Sequence, residues 1–299
     1  MVRVKVPATT ANLGPGFDVL GMALKLYNYI EMELAGSGLE IEIFGEGEEN
    51  IPVSTDNIVY RAAQKVFSRA GFKANGLRIR LENNIPAARG LGSSAAALVG
   101  GALAANALSG GHLSLSQLID IASEIEGHPD NVVPAMAGGI TLCCQLDGKI
   151  TYRKIEPPEK LKGIAVIPSF ELSTRAARES LPEMVPLGDA VFNMGRLSLL
   201  VCAFQKGDMD LVKEAMDDRL HQPYRLPLIP GMDRVFEAAR ENGAAGVALS
   251  GSGPTVIAFD SGELAAKIGL SMQEAFQERG IESTVKILEP DIDGAVIVG

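Results

Sequence analysis

Two hydrophobic rhythms run through the chain. Period-two alternation marks VRVKV (2–6), LEIEIF (39–44) and LRIRLE (77–82), the pattern of strands with one face buried. Between the last two, Val59, Ala62, Val66, Phe67 and Ala70 keep helical spacing, with Thr55 or Asp56 placed as N-cap and Gly71 as terminator. A second helix is predicted from the serines after Gly92 to about Leu108. It is Ala-rich and carries no charge, so nearly every side of it should be buried. A third begins at Ser114, where Gln117 completes a capping box, and Leu115, Leu118, Ala122 and Ile125 form its apolar stripe. GGITLCC (138–144) reads as a buried strand, which makes Cys143 and Cys144 packing residues.

The stretch 154–162, with Pro157 and Pro158 inside it, is the expected linker. Beyond it follow GIAVIP (163–168), helices near 188–206 and 231–242, and strands VALS (247–250) and PTVIAF (254–259). A helix from about 262 to 279 and strands TVKIL (284–288) and AVIV (295–298) close the chain. Strands and helices interspersed in both halves predict an α+β protein of two domains, 1–155 and 163–299. The length of 299 residues agrees, at about 150 residues per domain.

Composition removes several classes. The 37 acidic and 27 basic residues leave a net charge of -10, and tryptophan is absent. A nucleic-acid binder needs phosphate neutralisation and stacking surfaces that such a chain lacks. Cys143, Cys144 and Cys202 cannot build a disulfide framework and point to a reducing compartment. The segment MVRVKVPATTANLG has no apolar core of signal-peptide length. Residues 90–119 contain no charged side chain, but Ser93, Ser94, Asn106, His112 and Gln117 interrupt them, so they are not a span of ~20 apolar residues. The expectation is a soluble cytoplasmic protein with neither a nucleic-acid nor a membrane partner. The histidines and cysteines show no structural-zinc spacing.

The most informative segment is Pro86-Ala87-Ala88-Arg89-Gly90-Leu91-Gly92-Ser93-Ser94-Ala95-Ala96, a loop leading into the chargeless helix. Glycines let backbone N–H groups approach a ligand, serines add hydroxyls, and the helix aims its positive end at the same place. Together they predict an anion site, most naturally for phosphate. Gly90, Gly92 and Ala95 formally match the dinucleotide pattern, but the next acid is Asp120, too distant to hold a ribose. No P-loop and no G-x-S-x-G elbow is present. A phosphate-bearing nucleotide held by backbone groups remains. Two more glycine-rich segments, Pro7-Ala-Thr-Thr-Ala-Asn12-Leu-Gly14-Pro-Gly16-Phe-Asp18 and Ser250-Gly-Ser252-Gly253-Pro-Thr255, are also rich in hydroxyl or amide groups.

In order and spacing these three loops resemble the motifs of the GHMP kinase superfamily, over essentially the whole chain. Asn12 and Asp18, the segment Glu124-Ile-Glu-Gly-His128-Pro-Asp130-Asn131-Val-Val-Pro134, Thr174-Arg-Ala-Ala-Arg178, and Pro223-Tyr-Arg225 followed by Leu228-Ile-Pro-Gly are similar to the branch whose acceptor is L-homoserine. The resemblance implies an N-terminal domain like ribosomal protein S5 domain 2, with a left-handed β-α-β unit. It implies a ferredoxin-like C-terminal domain, a cleft between the two, and a homodimer.

The activity implied is transfer of the γ-phosphate of ATP to L-homoserine, giving O-phospho-L-homoserine for threonine synthesis. Residues 86–96 would hold the triphosphate, with Ser94 and Glu124 on Mg²⁺. Arg178 and Arg225 would take the substrate carboxylate, Asp18 its ammonium, and Asn12, His128 and Asn131 its other polar groups. Asn131, Thr174 and Arg178 form the implied catalytic set. Asn131 cannot accept a proton, so the expectation is that no dedicated base acts, that the hydroxyl proton passes to the transferred phosphate, and that Asp130 braces the turn. Two alternatives stand beside this reading. One is a GHMP kinase for another alcohol such as mevalonate, which should show an acceptor-side Asp and Lys. The other is a non-catalytic nucleotide sensor, which has no need of the metal ligands.

Overall fold

The computed structural model describes all 299 residues. The first half builds β1 (Val2–Ala11), β2 (Leu20–Ala35), β3 (Gly38–Gly45), α1 (Ile58–Ala70), β4 (Gly76–Asn83), α2 (Ser93–Leu108), α3 (Leu115–Glu126), α4 (Val132–Ala137), β5 (Ile140–Leu146) and β6 (Lys149–Ile155). The second builds β7 (Lys162–Pro168), α5 (Thr174–Glu179), α6 (Leu187–Lys206), α7 (Met209–Ala215), α8 (Gln222–Arg225), α9 (Met232–Glu241), β8 (Gly246–Leu249), β9 (Val256–Asp260), α10 (Ala265–Gln277), β10 (Ser283–Leu288) and β11 (Val296–Ile297).

The chain forms an α+β protein with two sheets. One has seven strands in the path β11-β1-β2-β4-β3, with β5 and β6 continuing from β2. Only β3 and β4 pair in parallel, joined by the α1 crossover. The other sheet runs β10-β7-β9-β8 and is antiparallel throughout. Its chain order β7-α-β8-β9-α10-β10 is a ferredoxin-like arrangement. It packs α9 and α10 through Val235, Ala239, Ile268, Met272 and Phe276. The larger core joins the seven-stranded sheet to α1, α2 and α3, and it takes in Leu200, Phe204, Val212 and Phe259 from the second half. That shared core fixes the cleft between the two sheets.

The predicted elements form with local differences, while β2, β6, α4, α5, α7 and α8 have no counterpart in the sequence pattern. The N-cap of α1 is Asn57, whose side chain accepts from Val59 N and donates to Pro52 O at 2.7 Å. Asp56 lies one residue too early and Thr55 two. Strand β2 carries no alternation at its start, because Leu20–Leu24 is covered on both faces. Cys143 is buried in β5, but Cys144, on the opposite face, is exposed. Finally, AVIV does not stay with the second sheet. Val296 and Ile297 pair with Lys5 and Val4 of β1, so the tail returns to the first sheet.

Candidate active site

Three distant loops interlock around the start of α2. Thr9 N donates to Leu91 O at 3.1 Å, Thr255 N to Arg89 O at 3.3 Å and Gly251 N to Ala11 O at 3.2 Å. Ser250 Oγ bridges Gly90 O at 2.7 Å and Thr10 Oγ1 at 2.9 Å. Gly90 and Gly92 have positive φ, and a Cβ on them would strike Ser250 O and Thr9 Oγ1 respectively. Only glycine lets the loops come this close. Gly92 caps α2 in a left-handed conformation with no side-chain cap, and the first helical bond is Ala96 N to Gly92 O. The preceding N–H groups stay available for an anion, at the positive end of a 16-residue helix.

One cavity of about 100 Å³ gathers most of the candidates. It is lined by Asn12, Asp18, Pro86, Ala88–Ser94, Glu126, His128, Asp130, Asn131, Thr174, Arg178, Arg225, Gly251 and Ser252. Ala87 lines a second hollow of about 280 Å³ that shares Ala88, Ser93 and Ser94 with the first. Its walls include Ile51, Pro52, Ile58 and Leu81, and no sequence signal pointed to it. Ala95 and Ala96 lie in the core, so their side chains face neither space. Arg89 gives its guanidinium to Pro168 O, Ala87 O and Ser169 O, clamping the loop to the second half of the chain.

The expected metal pair needs correction. Glu124 points away from the cleft and pairs with Lys65 of α1 at 2.6 Å, with its side chain 70% exposed. Glu126, two residues on, is the acid that meets Ser94, whose Oγ donates to Oε2 at 2.7 Å. Residues two apart on a helix are rotated by about 200°, so only one of the two can face α2. Burial raises the Glu126 carboxyl above its ordinary range, and the Ser94 hydrogen bond opposes that shift.

Arg178 and Asp18 form a two-pronged pair, Nη2–Oδ1 at 2.6 Å and Nη1–Oδ2 at 3.0 Å. Asn12 donates to Gly251 O at 2.9 Å and accepts from Asp18 N at 3.0 Å, so much of its amide holds the loop rather than facing the cavity. Asn131 Oδ1 accepts from Thr9 Oγ1 at 2.7 Å. Thr174 Oγ1 lies 3.4 Å from Ser252 Oγ at the rim. His128 Nδ1 sits 2.8 Å from Asp130 Oδ1. Burial pulls His128 down, but the hydrogen bond and charge of Asp130 prevail and raise it. Arg225 is almost fully buried, and burial with the nearby Arg178 charge lowers it to about 10.

Comparison with known proteins gives a consistent answer. Residues 57–139 match the GHMP kinases N terminal domain and 200–278 the GHMP kinases C terminal model. A homoserine kinase from Moorella thermoacetica is 52% identical over 298 residues, covering 100% of both chains. The chain belongs to the homoserine kinase family of GHMP kinases. A second homoserine kinase, from Desulfitobacterium hafniense, is 43% identical with 100% of both chains covered. The crystal structure of homoserine kinase from Cytophaga hutchinsonii superposes with a TM-score of 0.92 at 32% identity, covering 99% of this chain and 97% of that one. A kinase of this family takes ATP as co-substrate, and the two-domain GHMP kinase fold accounts for both sheets.

Proposed function

We propose that the protein transfers the γ-phosphoryl group of ATP to the side-chain hydroxyl of L-homoserine, giving O-phospho-L-homoserine. One observation carries the reading: the uncapped start of α2 and a set of two guanidinium groups with Asp18 face a single cavity. The first suits a triphosphate, the second a small zwitterion. The adjoining apolar hollow, continuous with the serine end of the loop, has the size and lining for the nucleoside.

Ser94 and Glu126 fit Mg²⁺, because a hydroxyl and a carboxylate 2.7 Å apart are hard oxygen donors converging on one point. Mg²⁺, when bound there, would draw charge from the phosphoryl oxygens. The chain's own groups do the positioning that phosphoryl transfer mainly demands. Arg225 and Arg178 receive the carboxylate, and Asp18 exchanges its guanidinium partner for the substrate ammonium. With Asn131 Oδ1 taken by Thr9, Nδ2 is left to hold the acceptor oxygen rather than to remove its proton. The hydroxyl oxygen attacks Pγ, the bond to the bridging oxygen breaks toward ADP, and the proton leaves with the new phosphate ester.

No lysine lines the cavity, which favours homoserine over an acceptor such as mevalonate. The converging Ser94 and Glu126 favour catalysis over a sensor role. Free cysteines agree with a cytoplasmic enzyme. The proposed homodimer finds support in α6. This helix is long and apolar enough to cross a membrane by length and composition. It docks on the protein through Asn193, Leu200, Ala203 and Phe204. Its outer face leaves Leu187 78% and Met194 60% exposed, and Val191 and Cys202 exposed beside them. A second copy pairing there would cover this uncharged stripe.

The test is ADP release by purified protein with ATP and Mg²⁺, offering L-homoserine, L-threonine, L-serine and mevalonate in parallel. Turnover on L-homoserine alone is expected. Turnover on mevalonate would discard the substrate assignments, and ATP binding without turnover on any of the four would favour the sensor.

A further inference from the structure

Behind the substrate arginines lies a buried histidine that phosphoryl transfer does not use. His221 precedes α8 and is fully buried. Its Nε2 is 2.8 Å from Gly14 O, and a carbonyl can only accept, so Nε2 carries the hydrogen. In a neutral ring Nδ1 is then an acceptor, and Arg225 Nη1 lies 3.2 Å from it. The same Nη1 donates to Gly251 O at 2.9 Å, and Nε donates to Ala177 O at 3.3 Å. Three of the five guanidinium N–H groups are thereby fixed. The two on Nη2 have no protein acceptor, and Arg225 lines the cavity. The ring also stacks on Phe17, centroids 5.2 Å apart, and both Arg178 and Arg225 sit over that phenyl ring. Asp218 Oδ2, 3.6 Å from Nε2, pulls toward the protonated ring, against burial and the Arg225 charge. The Asp218 oxygens already accept from Asn193 Nδ2 and from the backbone N–H groups of Leu220, His221 and Gln222.

We infer that His221, as the neutral Nε2–H tautomer, is a positioning residue that holds Arg225 with its free N–H pair aimed at the substrate carboxylate. The inference rests on the proposed carboxylate role of Arg225. A protonated ring would set N–H against N–H at Nδ1 and release that grip. Burial, the Arg225 charge beside it, and the loss of an acceptor all favour the neutral form.

Two variants separate the ring's two bonds. In His221→Asn the amide oxygen overlays Nδ1 and keeps the acceptor for Arg225. In His221→Gln the amide nitrogen overlays Nε2 and keeps only the Gly14 bond. The glutamine variant should raise the KM for L-homoserine on the order of 10-fold or more, the scale of one hydrogen bond to a charged group. Its KM for ATP should stay within about two-fold, and His221→Asn should recover most of the loss. Equal effects from both variants, or lowered Tm with no KM split, would overturn the inference. Imidazole ¹⁵N spectra of the wild-type protein at pH 7 give a second test that needs no variant to fold. They should show a neutral Nε2–H ring; a protonated or Nδ1–H ring overturns the inference. If wild-type protein turned over no homoserine, the substrate reading would fall, and guanidinium ¹⁵N spectra would decide the role of His221. Restricted rotation of Arg225 in wild type and His221→Asn, lost in His221→Gln, supports it; unchanged rotation in all three overturns it.

Discussion

Asp18 and Arg178, 160 residues apart, neutralise one another across the cleft by two contacts of 2.6 and 3.0 Å. The opening loop supplies the acid and α5 the base, so the pair ties the two halves of the chain together at the substrate position. A zwitterion that enters replaces this internal pair with two pairs of its own, one at each end. Ligands bearing only one charge leave either Asp18 or Arg178 without its partner. The fork geometry matters here, because a lysine presents one point charge where the guanidinium presents two aligned donors. Arg178→Lys should therefore raise the KM for L-homoserine on the order of 10- to 100-fold, the range for charge-assisted hydrogen bonds. The KM for ATP should not move, as initial-rate measurements with each substrate varied will check.

Glu126 and Glu124 make a paired prediction. Losing a group that supports charge stabilisation of the transition state, here a carboxylate that would hold Mg²⁺, typically costs about 10²–10³ in kcat. Glu126→Gln should fall in that range and need far more Mg²⁺ for half-maximal rate. Glu124→Gln breaks only an exposed ion pair with Lys65 and should stay within about two-fold of wild type. Magnesium titrations of ADP release on both variants distinguish them; the reverse ranking would restore Glu124 as the ligand.

The confusion of those two glutamates shows how far the residues speak for themselves. Strands with one wet face, such as Leu77–Glu82, announce themselves, and so do helix ends with Gly71 or Ser114. The three glycine loops are legible as ligand-facing because each carries hydroxyl or amide groups that a simple turn does not need. Helix phase at a terminus is not legible: Glu124 and Glu126 differ only in which neighbour, Lys65 or Ser94, tertiary packing brings opposite. Nor is β2 legible at its start, where Leu20–Leu24 is buried on both sides and loses the period of two. Taken alone, Arg225 and His221 read as ordinary polar residues in DRLHQPYR; the family resemblance of Pro223-Tyr-Arg225 singles out Arg225, and nothing singles out His221. Their importance comes from a shared burial that no spacing encodes.

His221 also sets a pH dependence of stability. Burial first, and the Arg225 charge next, hold it below its ordinary value, while Asp218 and Asp18 pull the other way. The unfolded chain thus takes up a proton near pH 6.5 that the folded chain refuses. Stability from this group is full above that pH and falls as pH drops toward the folded value, by at most about 1.4 kcal/mol per pH unit. His128, raised by Asp130, contributes with the opposite sign, since its folded form binds the proton more tightly. Urea unfolding of wild type and His221→Asn between pH 7.5 and 5.5 isolates the first effect. The difference in stability between the two proteins should shrink as pH falls.

For the proposed dimer, Met194→Glu places a charge at the centre of the exposed stripe from Leu187 to Cys202. Two such charges would meet or be stripped of water across a two-fold axis, which an interface of this kind does not tolerate. Sedimentation velocity should give a dimer for wild type and a monomer for the variant at micromolar concentration. A wild-type monomer would assign the stripe to some other partner.

Asp130 decides how the acceptor loses its proton. Its carboxylate is buried, and Oδ1 lies 2.8 Å from His128 Nδ1 and 3.5 Å from Asn131 Nδ2. Both contacts fall on Oδ1, which holds the turn before α4 and orients His128 and Asn131, while Asp130 itself lines the cavity. A general base must reach the hydroxyl at about 2.6–3.2 Å, and losing one costs about 10²–10⁴ in rate. In a loose transition state the attacking hydroxyl needs little early activation, and the departing phosphoryl oxygens can take its proton later. Asp130→Asn keeps an oxygen for His128 while removing the charge. Its kcat should therefore fall by less than about 10-fold, with no loss of the rate plateau toward high pH. Single-turnover measurements with saturating L-homoserine separate chemistry from binding. A drop of about 10²-fold or more in that step, with KM unchanged, would establish Asp130 as the base and discard proton transfer to the phosphate.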